Sequence, residues 1–180
     1  MINLYKILLL DDNISEIEAF YDLLPEKLKR RIKDKNKEEK IRSTACYYLL
    51  NDALQTTGHS LLDLYYSDSG KPLIDGIFLS FSHKDKMCVL ALSDTPCGVD
   101  TEKIEKKDYK ALSRFSKKEQ EIARNSPYGF MELWTKKEAL IKLTGEGIKG
   151  LISADIFDEN INFFMEEASG YLITAATLKK

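Results

Sequence analysis

Apolar and polar positions change their spacing several times along the chain, and each change predicts an element. The opening run "MINLYKILLLDD" holds six Leu/Ile around one lysine and stops at two acids, which predicts a first strand. It is too short to span a membrane, and no small-residue cleavage site follows it. Residues 15–24 switch to amphipathic helical spacing, and Pro25 opens a new segment. From about Asn36 to Ala53, the positions Ile41, Ala45, Tyr48, Leu49 and Ala53 recur at helical spacing until "TTGHS" breaks the pattern at Gly58.

Residues 62–102 read as an antiparallel meander. "SDSG" is a turn, "KPLI" is a short strand that Pro72 confines to an edge or first position, and "DG" signals a hairpin. In "IFLSFSH" the side chains of Ile77, Leu79 and Phe81 share one face, and those of Phe78, Ser80 and Ser82 the other. "MCVLALS" is apolar throughout, as a strand covered on both faces would be, and "CGVDTE" follows as the next strand. The second half starts with helices. Ser116 and Glu119 in "SKKE" form a capping box, Pro127 divides that helix from "YGFMELWTKKEALIKLTG", and Gly145 ends the latter. Two strands, "NINFFME" and "YLITAATL", close the chain.

Composition sets few limits beyond one sizeable core or two packed halves, since 43% of the 180 residues are hydrophobic. A net charge of −2 gives no general attraction to nucleic acid or to an anionic membrane. Charge is nevertheless uneven. Residues 26–42 carry nine Lys/Arg against four Asp/Glu, which suits either a solvated helical face or a compact polyanion. Cys46, Cys88 and Cys97 sit in apolar stretches without metal-type spacing, and only His59 and His83 could join them. They read as small buried hydrophobes of a cytoplasmic protein.

Asp100 and Glu102 stand two apart on a strand, so their side chains project to the same side. Trp134, Glu138 and Lys142 fall at i, i+4 and i+8, along one side of a helix. Alone, each group is an ordinary solvated face. Together, three carboxylates form an oxygen-only donor set suited to Mg²⁺, which keeps positions for water and substrate phosphate. A nearby lysine, a Ser-His at a strand end and the basic segment would serve a phosphorylated ligand. The combination points to metal-assisted transfer at a phosphate centre.

The motifs "GKP" (70–72), "SFSH" (80–83), "GVDTE" (98–102) and "WTKKEALIK" (134–142), in this order, resemble the signatures of 4′-phosphopantetheinyl transferases of the surfactin-synthetase-activating type. The N-terminal "LPEKLKRRIKDKNKEEKIRS" is similar to that family's Pro-x-Lys to Arg-Ser/Thr segment, so the resemblance covers residues 25–145. It implies an α+β, pseudo-duplicated two-half fold, each half a helix packed on a small antiparallel sheet. Residues 1–96 would supply coenzyme A nucleotide contacts, and residues 97–180 the metal site and catalytic helix. The implied reaction is Mg²⁺-dependent transfer of the 4′-phosphopantetheine arm of coenzyme A to a serine of an apo acyl or peptidyl carrier protein. Adenosine 3′,5′-bisphosphate leaves. Such carriers serve fatty-acid, polyketide or nonribosomal-peptide synthesis.

By position, the resemblance assigns Asp100, Glu102 and Glu138 to the metal, Glu138 also to the carrier serine's proton, and Lys142 to the transferred phosphate. Lys27, Arg30, Arg42, Ser43 and His83 would surround the adenosine and its 3′-phosphate, with Lys71, Pro72 and Ser82 near the nucleotide and pyrophosphate. The carrier would dock beside the segment after Glu102, including Arg114 and Phe115. Both halves in one chain imply a monomer, with no nucleic-acid or membrane partner. A non-catalytic coenzyme A- or nucleotide-binding module of the same fold is the alternative. Two residues depart from the pattern: Ser80 stands where the family has Asn, and Lys84 replaces the small residue after His83. Lys84 either adds a cation near the phosphates or points to solvent from a turn.

Overall fold

Two three-stranded antiparallel sheets lie face to face, with helices on their outer sides, in a computed structural model. It describes residues 1–105, 110–126, 128–147 and 150–179. Pro127, expected to divide two helices, is outside the described residues, as is part of the segment after Glu102. The first sheet has the order β1 (Ile2–Leu8), β5 (Met87–Ser93), β4 (Phe78–Lys84). A two-residue ribbon of β2 (Tyr65–Tyr66) and β3 (Pro72–Leu73) stands apart from it. The second sheet has the order β6 (Cys97–Lys103), β8 (Tyr171–Leu178), β7 (Ile161–Ala168).

The unbroken apolar run of β5 follows from its position. Cys88, Leu90 and Leu92 pack toward the helices α1 (Asp11–Leu23), α2 (Glu26–Ile32) and α3 (Lys37–Leu54), whose Ile17, Leu28, Ile32, Leu50 and Leu54 share that core. Met87, Val89 and Ala91 point the other way, into a second core with Val99 of β6 and Ile173 and Ala175 of β8. Both faces of β5 are covered, so no polar alternation is left. On the far side, α4 (Lys117–Asn125) and α5 (Phe130–Thr144) close the stack, Ala139, Leu140 and Leu143 packing with Ala176. The expected caps hold both ends: the Ser116 hydroxyl accepts the Glu119 N–H, and Gly145 ends α5 in the left-handed region at φ 80°. Asn36 likewise accepts the Glu39 N–H to start α3.

The meander expected over 62–102 breaks before its last strand. The second edge of β5 is taken along its whole length by β1, from Ile2 opposite Ser93 to Leu8 opposite Met87. β6 therefore passes into the second sheet and pairs with β8. It still runs beside β4, across a seam bridged by serine side chains. Ser80 Oγ accepts the Val99 N–H at 3.1 Å, and Ser82 Oγ accepts the Thr101 N–H at 3.2 Å. Ser80, where the resembled family has Asn, is thus a structural acceptor between the sheets.

Candidate functional site

The closeness of α5 to β6 organises the site, and Gly98 permits it. A Cβ at Gly98 would stand 2.0 Å from the Ala139 carbonyl oxygen and 2.5 Å from the Leu143 nitrogen, both backbone atoms. With the helix this close, Glu138 and Lys142 reach the strand face that carries Asp100 and Glu102. These four residues, with Ser82, His83, Lys84 and Trp134, line one cavity of about 390 Å³. The pairing that the strand and helix spacings predict is therefore realised in space.

Lys142 is the centre of the polar network. Its Nζ donates to Asp100 Oδ1 at 2.7 Å, to the Val99 carbonyl at 2.9 Å and to Ser82 Oγ at 3.1 Å. Ser82 Oγ donates in turn to Asp100 Oδ1 at 2.9 Å. Lys142 and Ser82 thus converge on the same carboxylate oxygen. Asp100 Oδ2 is buried with no hydrogen-bond partner among the described residues, a costly state for a carboxylate oxygen unless a ligand completes it. Glu102 is held by Lys84, at 3.0 Å to Oε2. Burial raises the Glu138 pKa first, and the Asp100 and Glu102 charges add to it against the pull of Lys142. The three carboxylates thus feel one another, as a cation site requires.

This donor set has the chemistry of a hard divalent cation site: it is all oxygen, lines one cavity and includes an uncompleted buried oxygen. Among the described residues no three ligating side chains already stand clustered around one point.

A second cavity of about 570 Å³ shares Phe81, His83, Glu138 and Lys142 with the first and extends toward α2 and the β2–β3 ribbon. Of the residues assigned by resemblance, Ser43, Lys71, Pro72 and His83 line it. Lys71 Nζ donates across the cleft to the Leu143 carbonyl in the last turn of α5 at 2.9 Å, and burial lowers its pKa. Lys35 Nζ donates to Ser43 Oγ at 2.9 Å. His83 stays accessible on the cavity side, yet the enclosing protein, then the charges of Arg42, Lys35 and Lys142, lower its pKa.

Three assigned residues are not in the wall. Lys27 donates to the Leu62 carbonyl, Arg30 is exposed on α2, and Arg42 pairs with Glu38 at 3.6 Å. Arg42 nevertheless acts electrostatically on His83. Sequence reasoning did not single out Arg31 and Lys35, which line the cavity, or the pair Tyr47 and Tyr66, whose hydroxyls meet at 2.9 Å. Arg31 lies 3.6 Å over the Tyr66 ring. The signal was present: once Leu28 and Ile32 are taken as the core face of α2, its cavity-side cations become distinguishable from the outer ones. Lys137 was missed too. It is fully buried, paired with Glu119 at 2.6 Å, and donates to the carbonyls of Ile152 and Ala154. Its place between Leu133 and Leu140 on the apolar stripe marks it as inward-facing.

Arg114 ends the short helical turn after β6, and Phe115, next to it, is buried against Phe130 rather than presented to solvent. No helix among the described residues is long and apolar enough to cross a membrane.

Comparison with known proteins agrees with this geometry. Residues 96–175 match the model of the 4′-phosphopantetheinyl transferase superfamily. The chain is 37% identical over 101 residues to the 4′-phosphopantetheinyl transferase gsp of Aneurinibacillus migulanus, covering 52% of this chain and 43% of that protein. It is also 37% identical over 90 residues to the 4′-phosphopantetheinyl transferase psf-1 of Bacillus pumilus, covering 44% of this chain and 38% of that one. The matched stretches therefore span less than half the length of either relative. The matched segment contains β6 and α5, the two elements whose close packing builds the carboxylate site. Over residues 96–175 the chain is thus similar to the 4′-phosphopantetheinyl transferase superfamily.

Proposed function

We propose that the protein transfers the 4′-phosphopantetheine arm of coenzyme A to a serine of an apo carrier protein and releases adenosine 3′,5′-bisphosphate. The observation that carries this reading is the continuity of the two cavities. A carboxylate-lined pocket opens into a larger one walled by Arg31, Lys35, Lys71 and His83. Coenzyme A needs both, because it bears a pyrophosphate at one end of its nucleotide and a 3′-phosphate at the other.

Asp100, Glu102 and Glu138 would hold Mg²⁺, which when bound neutralises charge developing on the pyrophosphate. Lys142, now bonded to Asp100, would offset the charge on the oxygens of the phosphorus that is attacked. Glu138 accepts the proton of the carrier serine hydroxyl, directly or through a water. The serine oxygen bonds to the phosphorus that bears the pantetheine arm, and the bond from that phosphorus to the bridging oxygen of the bisphosphate breaks. Arg31, Lys35 and His83 offer positive or hydrogen-bonding groups to the nucleotide end. With both sheets in one chain, the enzyme acts as a monomer, in the cytoplasm where its substrate is found.

The test is to incubate the protein with coenzyme A, Mg²⁺ and apo carrier proteins and to weigh the carriers. A gain of one phosphopantetheine group is expected, lost on chelation and restored by Mg²⁺. Asp100→Ala should abolish transfer while only weakening coenzyme A binding. No mass gain across several carriers, with coenzyme A still bound, would identify a non-catalytic binding module instead.

A further inference from the structure

Lys84, paired with Glu102, has no part in the proposed transfer, although its bearing on the metal rests on that reading. Lys84 is the last residue of β4, and Glu102 lies on β6, directly across the serine-bridged seam. The Lys84 ammonium spans both carboxylate oxygens, at 3.3 Å from Oε1 and 3.0 Å from Oε2. The side chains are 33% and 16% exposed, so solvent screens the pair only in part. Its geometry is held at both ends. Thr101, next to Glu102, is bonded to Ser82, two residues before Lys84, and Asp85 turns the chain at φ 48° just after Lys84.

Lys142 on Asp100 and Lys84 on Glu102 thus give two of the three carboxylates an ammonium partner from within the chain. A divalent cation taking Glu102 must displace Lys84 or lie beside it, and like charges a few ångströms apart repel. A small residue at position 84, as in the resembled motif, would leave Glu102 without this competitor. We infer that Lys84 is a tethered competitor of the metal at Glu102, so this chain binds its divalent cation more weakly than it would with a small residue there. The same ammonium keeps the carboxylate cluster from repelling itself when the metal is away. Lys84 is thereby a determinant of metal demand, and its charge is directed to Glu102 rather than to substrate phosphate.

The test is direct metal binding without substrate: Mn²⁺ titrated into the intact protein, followed by calorimetry and by the electron paramagnetic resonance of free Mn²⁺. Lys84→Ser should bind Mn²⁺ about fivefold more tightly than the unaltered chain, the ratio expected for a partly exposed pair. Lys84→Arg, which keeps the charge, should stay close to the unaltered affinity. Equal Mn²⁺ affinity in all three proteins would overturn the inference and leave the proposed reaction standing. Absence of Mn²⁺ binding in all three would overturn the inference, while the proposed reaction stands or falls by the carrier mass gain. A weaker metal-free affinity of Lys84→Ser for coenzyme A, with Mn²⁺ affinity unchanged, would assign Lys84 to the phosphates and refute the competition.

Discussion

Replacing Gly98 by alanine adds one methyl group at the tightest contact between β6 and α5. The new carbon would lie 2.0 Å from the Ala139 carbonyl oxygen, whereas ordinary contact begins at 3.4 Å. Neither that oxygen nor the Leu143 nitrogen at 2.5 Å belongs to a flexible side chain. The helix or the strand must therefore retreat by roughly 1.4 Å along this line. Overpacking of a core costs about 1–3 kcal/mol, and a clash with backbone on two sides belongs at the top of that range. For a chain of this size, about 3 kcal/mol lowers Tm by roughly 6–12 °C. The retreat also acts on chemistry, because Glu138 and Lys142 ride on the displaced helix. Lys142 Nζ, now 2.7 Å from Asp100 Oδ1, would lose contact with it. Differential scanning calorimetry reads the first effect and carrier mass gain the second, and transfer should fall more than coenzyme A affinity. A Tm within about 2 °C of the parent, with transfer intact, would falsify the account of Gly98 as the spacer that sets the site.

Two other perturbations probe groups outside the carboxylate cluster. Lys137→Met should destabilise the protein by about 3 kcal/mol, because it leaves the Glu119 carboxylate buried without its cation. Adding Glu119→Gln should recover part of the loss in urea unfolding, and no recovery would mean that the pair is not the source. His83 has a pKa held below 6.5, so the unfolded chain takes up its proton first as pH falls. Stability is then fully present above about pH 6.5 and is lost as pH drops through the lowered folded value. His83→Asn should flatten this part of the Tm-against-pH curve, and an unchanged slope would remove His83 as its cause. Binding of an anionic nucleotide beside His83 should favour the protonated ring, so calorimetry near pH 6 should register proton uptake in the parent and not in the variant.

How far the sequence could be read depended on whether the signal was local. Caps, turns and helical stripes depend on near neighbours, so the beginning of α4 at Ser116 and the end of α5 at Gly145 were legible. The i, i+2 pair Asp100 and Glu102, and the i, i+4, i+8 series on α5, likewise predict faces. The partner of β6 was not legible. An apolar strand does not name its neighbour, and β1, far away in sequence, had taken the edge of β5. The basic segment shows the same limit. Composition located the cations, but only the burial of Leu28 and Ile32 separates Arg31, on the cavity wall, from Arg30, facing solvent. Lys137 was hidden for another reason: a lysine is expected to be solvated, and the carbonyls that hold it come from residues 152 and 154, beyond the helix.

The serine-bridged seam also bears on how the chain avoids aggregation. A strand edge with unpaired N–H groups is a template for other chains. Here β4 shelters the edge of β6 through two hydroxyls, Ser80 on Val99 and Ser82 on Thr101, and is itself covered in return. A chain cut in the turn between β5 and β6 would expose both edges at once. Either fragment made alone is expected to go into inclusion bodies, whereas co-expressed fragments can shelter each other. The two sheets thus serve as each other's protection against self-association during synthesis, when the first must wait for the second to emerge.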